Sequence, residues 1–282
     1  MVEHRRWNDI VAYAILIFGV FIVAFPVYIA FIASTHDAAT VVNGNMPLSP
    51  GGHALENYYR AVFVGASRYS REPVGQMLLN SFISAAGIAI GKIFISILSA
   101  YAVVYFRFPF RKTAFWIIFV TLMLPVEVRI YPTYKVIADL HLLDTYAGLI
   151  LPLIASATAT LLFRQFFMTV PKELVEASKI DGAGPIRFFF DTLLPLSVTN
   201  IAALFVILFI YGWNQYLWPL LITTRDDMQT IVIGIKKIID VHDALTEWQV
   251  AMATAVLAML PPVAVVVLMQ RLFVKGLIET EK

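Results

Sequence analysis

Six apolar runs, each near the roughly 20 residues needed to cross a bilayer, alternate with polar segments along the chain. They cover residues 10–33, 76–106, 114–137, 146–167, 196–223 and 250–274. None shows the two-residue alternation of barrel strands. None carries a clear polar stripe, as expected of helices that are apolar on most faces. The pattern predicts an all-α membrane protein with six transmembrane helices in a single domain over residues 1–282. The second run is over-long, so it tilts or starts outside the hydrocarbon. The first follows a basic head, His4-Arg5-Arg6, yet is about 24 residues long and is not followed by an A-x-A site, so it reads as a retained span rather than a leader.

Composition sharpens the class. The 282 residues are 60% hydrophobic and 14% charged, against about a quarter charged in soluble domains. Soluble and disordered readings fall away. Cysteine is absent, which removes disulfides, thiolate zinc sites and thiol catalysis. A net charge of +2 gives no electrostatic footprint for nucleic acid.

The placement of charge sets the orientation. With the N-terminus inside, the inner segments carry Arg5, Arg6, Arg107, Arg111, Lys112, Arg164, Lys172, Lys179, Arg187, Arg271, Lys275 and Lys282. The outer segments carry Arg60, Arg68, Arg71, Arg225, Lys236 and Lys237, half as many. Both termini and the segment 168–195 are therefore expected in the cytoplasm, and the segments 34–75, 138–145 and 224–249 outside. Trp7, Trp116, Trp218 and Trp248 fall near span ends, where interfacial anchors belong.

Few residues offer chemistry. Gly87-Ile-Ala-Ile-Gly91-Lys92 imitates a phosphate loop, but it is one residue short between the glycines and has Ile93 where Ser or Thr is needed. The five histidines lie in loops or at the N-terminus and lack H-E-x-x-H spacing; no metal set and no G-x-S-x-G elbow is present. Inside the spans stand Lys92, Glu127, Arg129 and Lys135. A charge at mid-bilayer costs about 2.5–3.5 kcal/mol, so such groups face a polar cavity or one another. Arg129 and Lys92, with Glu127, either line a path for an anionic solute or form structural ion pairs. The cluster Trp213, Asn214, Gln215 and Tyr216 either faces a pore or joins two helices through its amides. Asn80 sits near a span end and is expected to be solvated there.

The inner segment 168–195 is the most informative. Pro171 suits a first helical turn, Glu173 and Glu176 suit the positive end of that helix, and Asp181-Gly182 supplies a stop. A short helix is expected over 171–181, with Ala177 and Ser178 giving a narrow surface for a partner. A second is expected over 185–193, where Phe188, Phe189 and Phe190 need burial.

At this segment the chain resembles a known family. Glu176-Ala177-Ser178, then Gly182, then Leu194-Pro195 resembles the EAA loop of ABC-importer permeases, with Ser178 where Ala is usual and Thr192 where an aliphatic residue is usual. The likeness extends over nearly the whole chain to MalG-type permeases of the carbohydrate-uptake group, through Tyr211-Gly-Trp-Asn-Gln-Tyr-Leu-Trp-Pro-Leu220. The stretches 106–111, 121–130 and 163–169 resemble permeases that import sn-glycerol-3-phosphate. The resemblance implies a type I ABC-importer permease fold in a bacterial inner membrane and a transport subunit without its own ATPase site. It implies a second permease, two ATP-binding subunits that hold ATP and Mg, and a periplasmic solute-binding protein. It binds no cofactor itself on this reading. Glu173, Glu176, Ala177, Ser178, Asp181, Gly182, Ala183, Leu194 and Pro195 would form the loop that docks on an ATPase. Glu247, Trp248 and Gln249 would meet the binding protein. A phosphate-bearing solute makes Arg129 the first candidate on the path and Lys92 the second. A sugar or polyol importer and an ion-gradient carrier are the alternatives.

Overall fold

The computed structural model describes residues 6–44, 46–65, 72–121, 126–239 and 246–279. Every regular element among the described residues is helical. Chains that cross lipid must satisfy backbone polar groups internally, and helices do so segment by segment. The first four helices are α1 (Arg6–Ser34), α2 (Ala38–Val42), α3 (Ala54–Tyr59) and α4 (Val74–Tyr105). Then follow α5 (Arg111–Val120), α6 (Val126–Asp139), α7 (Tyr146–Ile150), α8 (Ala157–Thr169) and α9 (Lys172–Ile180). The remainder is α10 (Pro185–Phe188), α11 (Leu194–Leu196), α12 (Val198–Trp213), α13 (Leu217–Ile222), α14 (Ile231–Ile239) and α15 (Trp248–Glu279).

The six expected spans are realised unevenly. Among the described residues, stretches 9–34 in α1, 74–105 in α4 and 248–270 in α15 are each long and apolar enough to cross a membrane alone. Two further pairs qualify only together: residues 146–153 with 157–169, bent by 51°, and residues 185–196 with 198–213, bent by 70°. The predicted span 146–167 is thus bent. The predicted span 196–223 stops at Trp213 and restarts at Leu217. Asn214, Gln215 and Tyr216 form that break, where polar side chains compete with a regular helix. The predicted span 114–137 appears as α5 and α6, with residues 122–125 outside those described. Its second half carries Glu127, Arg129 and Lys135, too polar for an uninterrupted lipid-facing helix.

The chain divides into two compact units, residues 1–78 with 234–260 and residues 79–233 with 261–282. In the first, the predicted outer loop folds back on the end of α1. The Asn57 amide donates to the carbonyls of Ser34 (2.9 Å) and His36 (2.8 Å), supplying donors that a helix C-terminus lacks. Asp37 caps α2 by accepting from Thr40, and the Thr40 hydroxyl is the main reason its carboxyl lies below the usual range. Arg60 bridges Glu247 at 2.7 Å.

In the second unit, α4 is the central support. A Cβ on Gly87 would lie 2.6 Å from Ile150 Cδ1, and one on Gly91 2.5 Å from Ile154 Cγ2. The glycine pair that imitates a phosphate loop is a notch for close helix packing. Gly212 likewise brings α12 against Ala85 of α4. Ile88, Ile137, Leu149, Leu153, Trp218 and Ile222 form the core beside them. Trp218 is therefore no interfacial anchor: it is 3% exposed and its indole N–H donates to the Gly148 carbonyl at 3.2 Å. Asn80 is equally far from its expected solvation. It is fully buried, donates to the carbonyls of Asp227 (2.8 Å) and Gln229 (3.0 Å), and accepts from the Tyr146 hydroxyl (2.7 Å).

Candidate functional site

The segment after α8 folds nearly as its residues dictate. Pro171 precedes α9, Glu173 sits in its first turn and Lys179 in its last, so both charges oppose the helix dipole. At the far end Gly182 takes φ +71°, a left-handed conformation that costs other residues about 1–2 kcal/mol. Ala183 N–H donates to the Ser178 carbonyl (2.9 Å) and Gly182 N–H to the Lys179 carbonyl (3.1 Å). These two bonds are the Schellman closure that satisfies the last carbonyls of a helix. The result is a short, firmly ended helix. Glu173, Glu176, Ala177 and Asp181 are exposed along it, while Ser178 and Ala183 are half-buried.

The segments on either side of α9 are anchored by aromatic contacts. Tyr101 and Tyr105, one turn apart at the end of α4, face Phe188 and Phe189, which are each 6% exposed. Ring centroids are 5.0 Å apart for Tyr101 with Phe189 and 5.4 Å for Tyr105 with Phe188, within the favourable range for aromatic pairs. The Tyr101 hydroxyl donates to the Pro185 carbonyl at 2.8 Å and the Tyr105 hydroxyl to the Phe167 carbonyl at 3.2 Å. A hollow of about 260 Å³ lies between these tyrosines and the Val175, Ser178 and Lys179 side of α9. Of the three expected buried phenylalanines, Phe190 is 58% exposed. Leu194 is half-buried and Pro195 exposed; both lie in α11, beside Ser197, the residue between the two arms of the 70° bend.

A second feature lies further along α4. Lys92 and Arg129 line one cavity of about 550 Å³, together with Ser99, Thr121, Ser156 and Tyr211. Lys92 is 7% exposed, and its ammonium sits 3.8 Å from the centre of the Tyr211 ring. A desolvated cation–π contact of this kind contributes about 2 kcal/mol, which offsets part of the cost of burying the charge. Arg129 is exposed toward the cavity side of α6. The structure thus brings Lys92 and Arg129 together. It does not bring the cluster of residues 213–216 to them: Trp213 is 4% exposed and stacked on Phe209 at 5.8 Å, so it offers no free stacking face. Gln215 spends an amide N–H on the Tyr211 carbonyl at 3.2 Å, and Asn214 and Tyr216 do not line the cavity. Glu127 carries a side chain outside the described residues.

Residues 92–279 match the family model described as "Binding-protein-dependent transport system inner membrane component". The chain belongs to that family. Relatives agree over its full length. It is 61% identical to the sn-glycerol-3-phosphate transport system permease protein UgpE of Agrobacterium fabrum (strain C58), over 282 residues and 100% of both chains. It is 60% identical to the protein of that name from Rhizobium meliloti and 58% identical to that from Yersinia pestis, again over 100% of both chains. Among solved structures it is similar to a chain of a bacterial ABC transporter involved in the import of the acidic polysaccharide alginate. There the TM-score is 0.81 at 20% identity, covering 96% of this chain and 98% of that one. That likeness shows the permease fold.

As an inner-membrane component of this family, the chain is a transport subunit of an ABC importer. The matched region opens at Lys92 and contains both the cavity and α9. The trio Glu247, Trp248 and Gln249 lies in the first unit. Glu247 is tied to Arg60, Trp248 is 36% exposed and Gln249 is 5% exposed. Two structural features were not singled out from the residues alone. Tyr101 and Tyr105 have i, i+4 spacing and polar tips at the end of an apolar run, a signal that a partner lies beyond the run. Tyr211 was visible only as part of a motif.

Proposed function

We propose that this chain is one of two permeases in an importer of sn-glycerol-3-phosphate or a related glycerophosphodiester. The observation that carries the solute reading is the shared cavity of Lys92 and Arg129. Two cations facing one space within predicted spans are costly unless an anion meets them. In this reading Tyr211 fixes the Lys92 ammonium as a point charge, and Arg129 presents a guanidinium fork to two phosphate oxygens. The solute named in the relatives bears such a phosphate.

The second permease completes the pathway, and two ATP-binding subunits, which hold ATP and Mg, sit beneath. The basic residues on the inner segments support a cytoplasmic location for α9 and both termini. On ATP-driven closure the docked α9, led by Glu173 and Glu176, carries force through Phe188 and Phe189 into Tyr101 and Tyr105. Lys92 is on the same helix, thirteen residues from Tyr105, or about 20 Å along the axis. A tilt of α4 therefore moves the cavity as well. Outside, a periplasmic binding protein delivers the solute. Of the trio Glu247, Trp248 and Gln249, Trp248 has the most exposed side chain for that contact.

Uptake of labelled sn-glycerol-3-phosphate, glycerophosphocholine and maltose by cells with the complete importer tests the solute reading. Arg129→Ala should raise the KM for the phosphate ester about tenfold or more, the loss expected for one charge-assisted contact of about 1.5–3 kcal/mol. An assembled variant that transports at the parent rate would remove Arg129 from the path. The docking reading has its own readout: Glu176→Lys should abolish co-purification of the ATPase, and an undiminished complex would refute it.

A further inference from the structure

A third feature belongs to neither the solute cavity nor α9. Between α4, α5 and α8 runs a groove of about 580 Å³ whose lining includes Arg111, Lys112 and Arg164. No Asp or Glu is among its lining residues. Among the described residues, none of the three cations has a carboxylate partner. The Arg164 guanidinium carbon lies 4.3 Å from the centre of the Phe115 ring. Stacking holds the fork in place and leaves its in-plane donors available for an anion. Arg111 is steadied by one bond to the Phe106 carbonyl at 3.2 Å. Three like charges around one groove repel one another unless an anion separates them.

We infer that this groove binds the anionic headgroup of a phospholipid. The walls decide between a lipid and a soluble anion. Val103 and Leu161 are apolar and half-buried, and Trp116 at the rim is 59% exposed. An exposed tryptophan beside basic residues is the arrangement found at headgroup depth in a bilayer. A free phosphate would use the cations and leave the apolar wall wet. A phospholipid uses both, its phosphodiester on the cations and its glycerol and first acyl carbons along Val103 and Leu161. The groove volume lies within the range of sites that take small ligands. Its basic end is near α9 along the chain, since Arg107, five residues before Lys112, lines the hollow beside α9. Arg164 is one turn before Phe167 on α8, and Phe167 packs on Tyr105 at 6.0 Å. A bound headgroup therefore clamps α5 to α8 at the foot of the aromatic mount.

The test uses the whole importer, purified in detergent, delipidated and offered equal phosphatidylglycerol and phosphatidylcholine, with retained lipid read by native mass spectrometry. The parent should retain phosphatidylglycerol selectively. Lys112→Gln should lose about fivefold of that retention, and Arg111→Gln with Lys112→Gln about 30-fold, on the per-cation contribution of a basic residue near an anionic surface. Lys112→Arg should restore it, and Lys135→Gln, outside the groove, should not change it. Millimolar inorganic phosphate should leave the retained lipid in place. Equal retention of both lipids, unchanged retention in the double variant, or displacement by inorganic phosphate would each overturn the inference, the last by making this a soluble-anion site. Should the double variant fail to assemble, the exposed Lys112→Gln decides the matter by itself.

Discussion

The two ends of the second unit are held by opposite kinds of force. At one end, Asn80 of α4 satisfies two carbonyls and one hydroxyl, the Ser81 hydroxyl accepts the Ile231 N–H at 2.8 Å, and Asp144 accepts from Thr224 and Arg225. These contacts are directional and short. They fix register and tolerate little sliding, because a buried polar group that loses its partner carries the full desolvation cost. At the other end, Tyr101 and Tyr105 meet Phe167, Phe188 and Phe189 through ring faces and edges. Ring contacts have broad minima and permit tilt at small cost. One helix is thus pinned at one end and cushioned at the other. That arrangement suits the lever role proposed for α4, with the cushioned end beside α9.

The largest loss is expected at the pin. Asn80→Leu strands the carbonyls of Asp227 and Gln229 and the Tyr146 hydroxyl, each at about 1–3 kcal/mol. Thermal unfolding of the assembled importer should show a loss of about 3 kcal/mol or more, with poor recovery of the complex. A variant as stable as the parent would mean that water or a rearranged chain replaces the amide, and that the end is not pinned.

The cushioned end should respond less in stability and more in coupling. Tyr101→Phe keeps the ring contacts and removes only the bond to the Pro185 carbonyl, so it should cost about 1 kcal/mol. Reconstituted importer should then hydrolyse more ATP per solute moved, because the segment that follows α9 is tied less firmly to α4. An unchanged ratio would assign the transmission to another contact.

Little of this contrast could be read from the residues, although the helices that carry it could, and the difference has a physical reason. Gly182 after a short polar-faced helix announces its left-handed turn, because few other residues accept that conformation. The long apolar runs of α1, α4 and α15 announce themselves by length. Asn80 does not: an amide near a span end looks the same whether it meets water or three chain partners, and those partners lie far away in sequence. The break at Asn214–Tyr216 was hidden because the apolar flanks are long enough for one straight span. Lys92 and Arg129 were visible as costly charges, but their common cavity depends on how α4 and α6 pack. Trp218 was misplaced for a related reason: tryptophan is enriched both at interfaces and in cores, and only the neighbours decide.

The smallest effect concerns a single clamp at the pinned end. Asp144 accepts the N–H of Thr224 (2.6 Å), its hydroxyl (2.6 Å) and the N–H of Arg225 (2.9 Å). Burial pushes its carboxyl upward, but the Arg225 and Thr224 bonds and the nearby Arg225 charge outweigh that and leave it below the usual carboxylate range. A folded-state value below the unfolded one, about 3.9, means the charged form is favoured by folding. The contribution is therefore complete above the unfolded value and is lost as pH falls through the folded one. Because the site is partly open to solvent, the gain is a fraction of a kcal/mol. Asp144→Asn should be slightly less stable than the parent at pH near 7, and the gap should close below about pH 4 as the parent carboxyl takes up its proton. A gap that stays constant through that window would show that the clamp works through shape alone and not through charge.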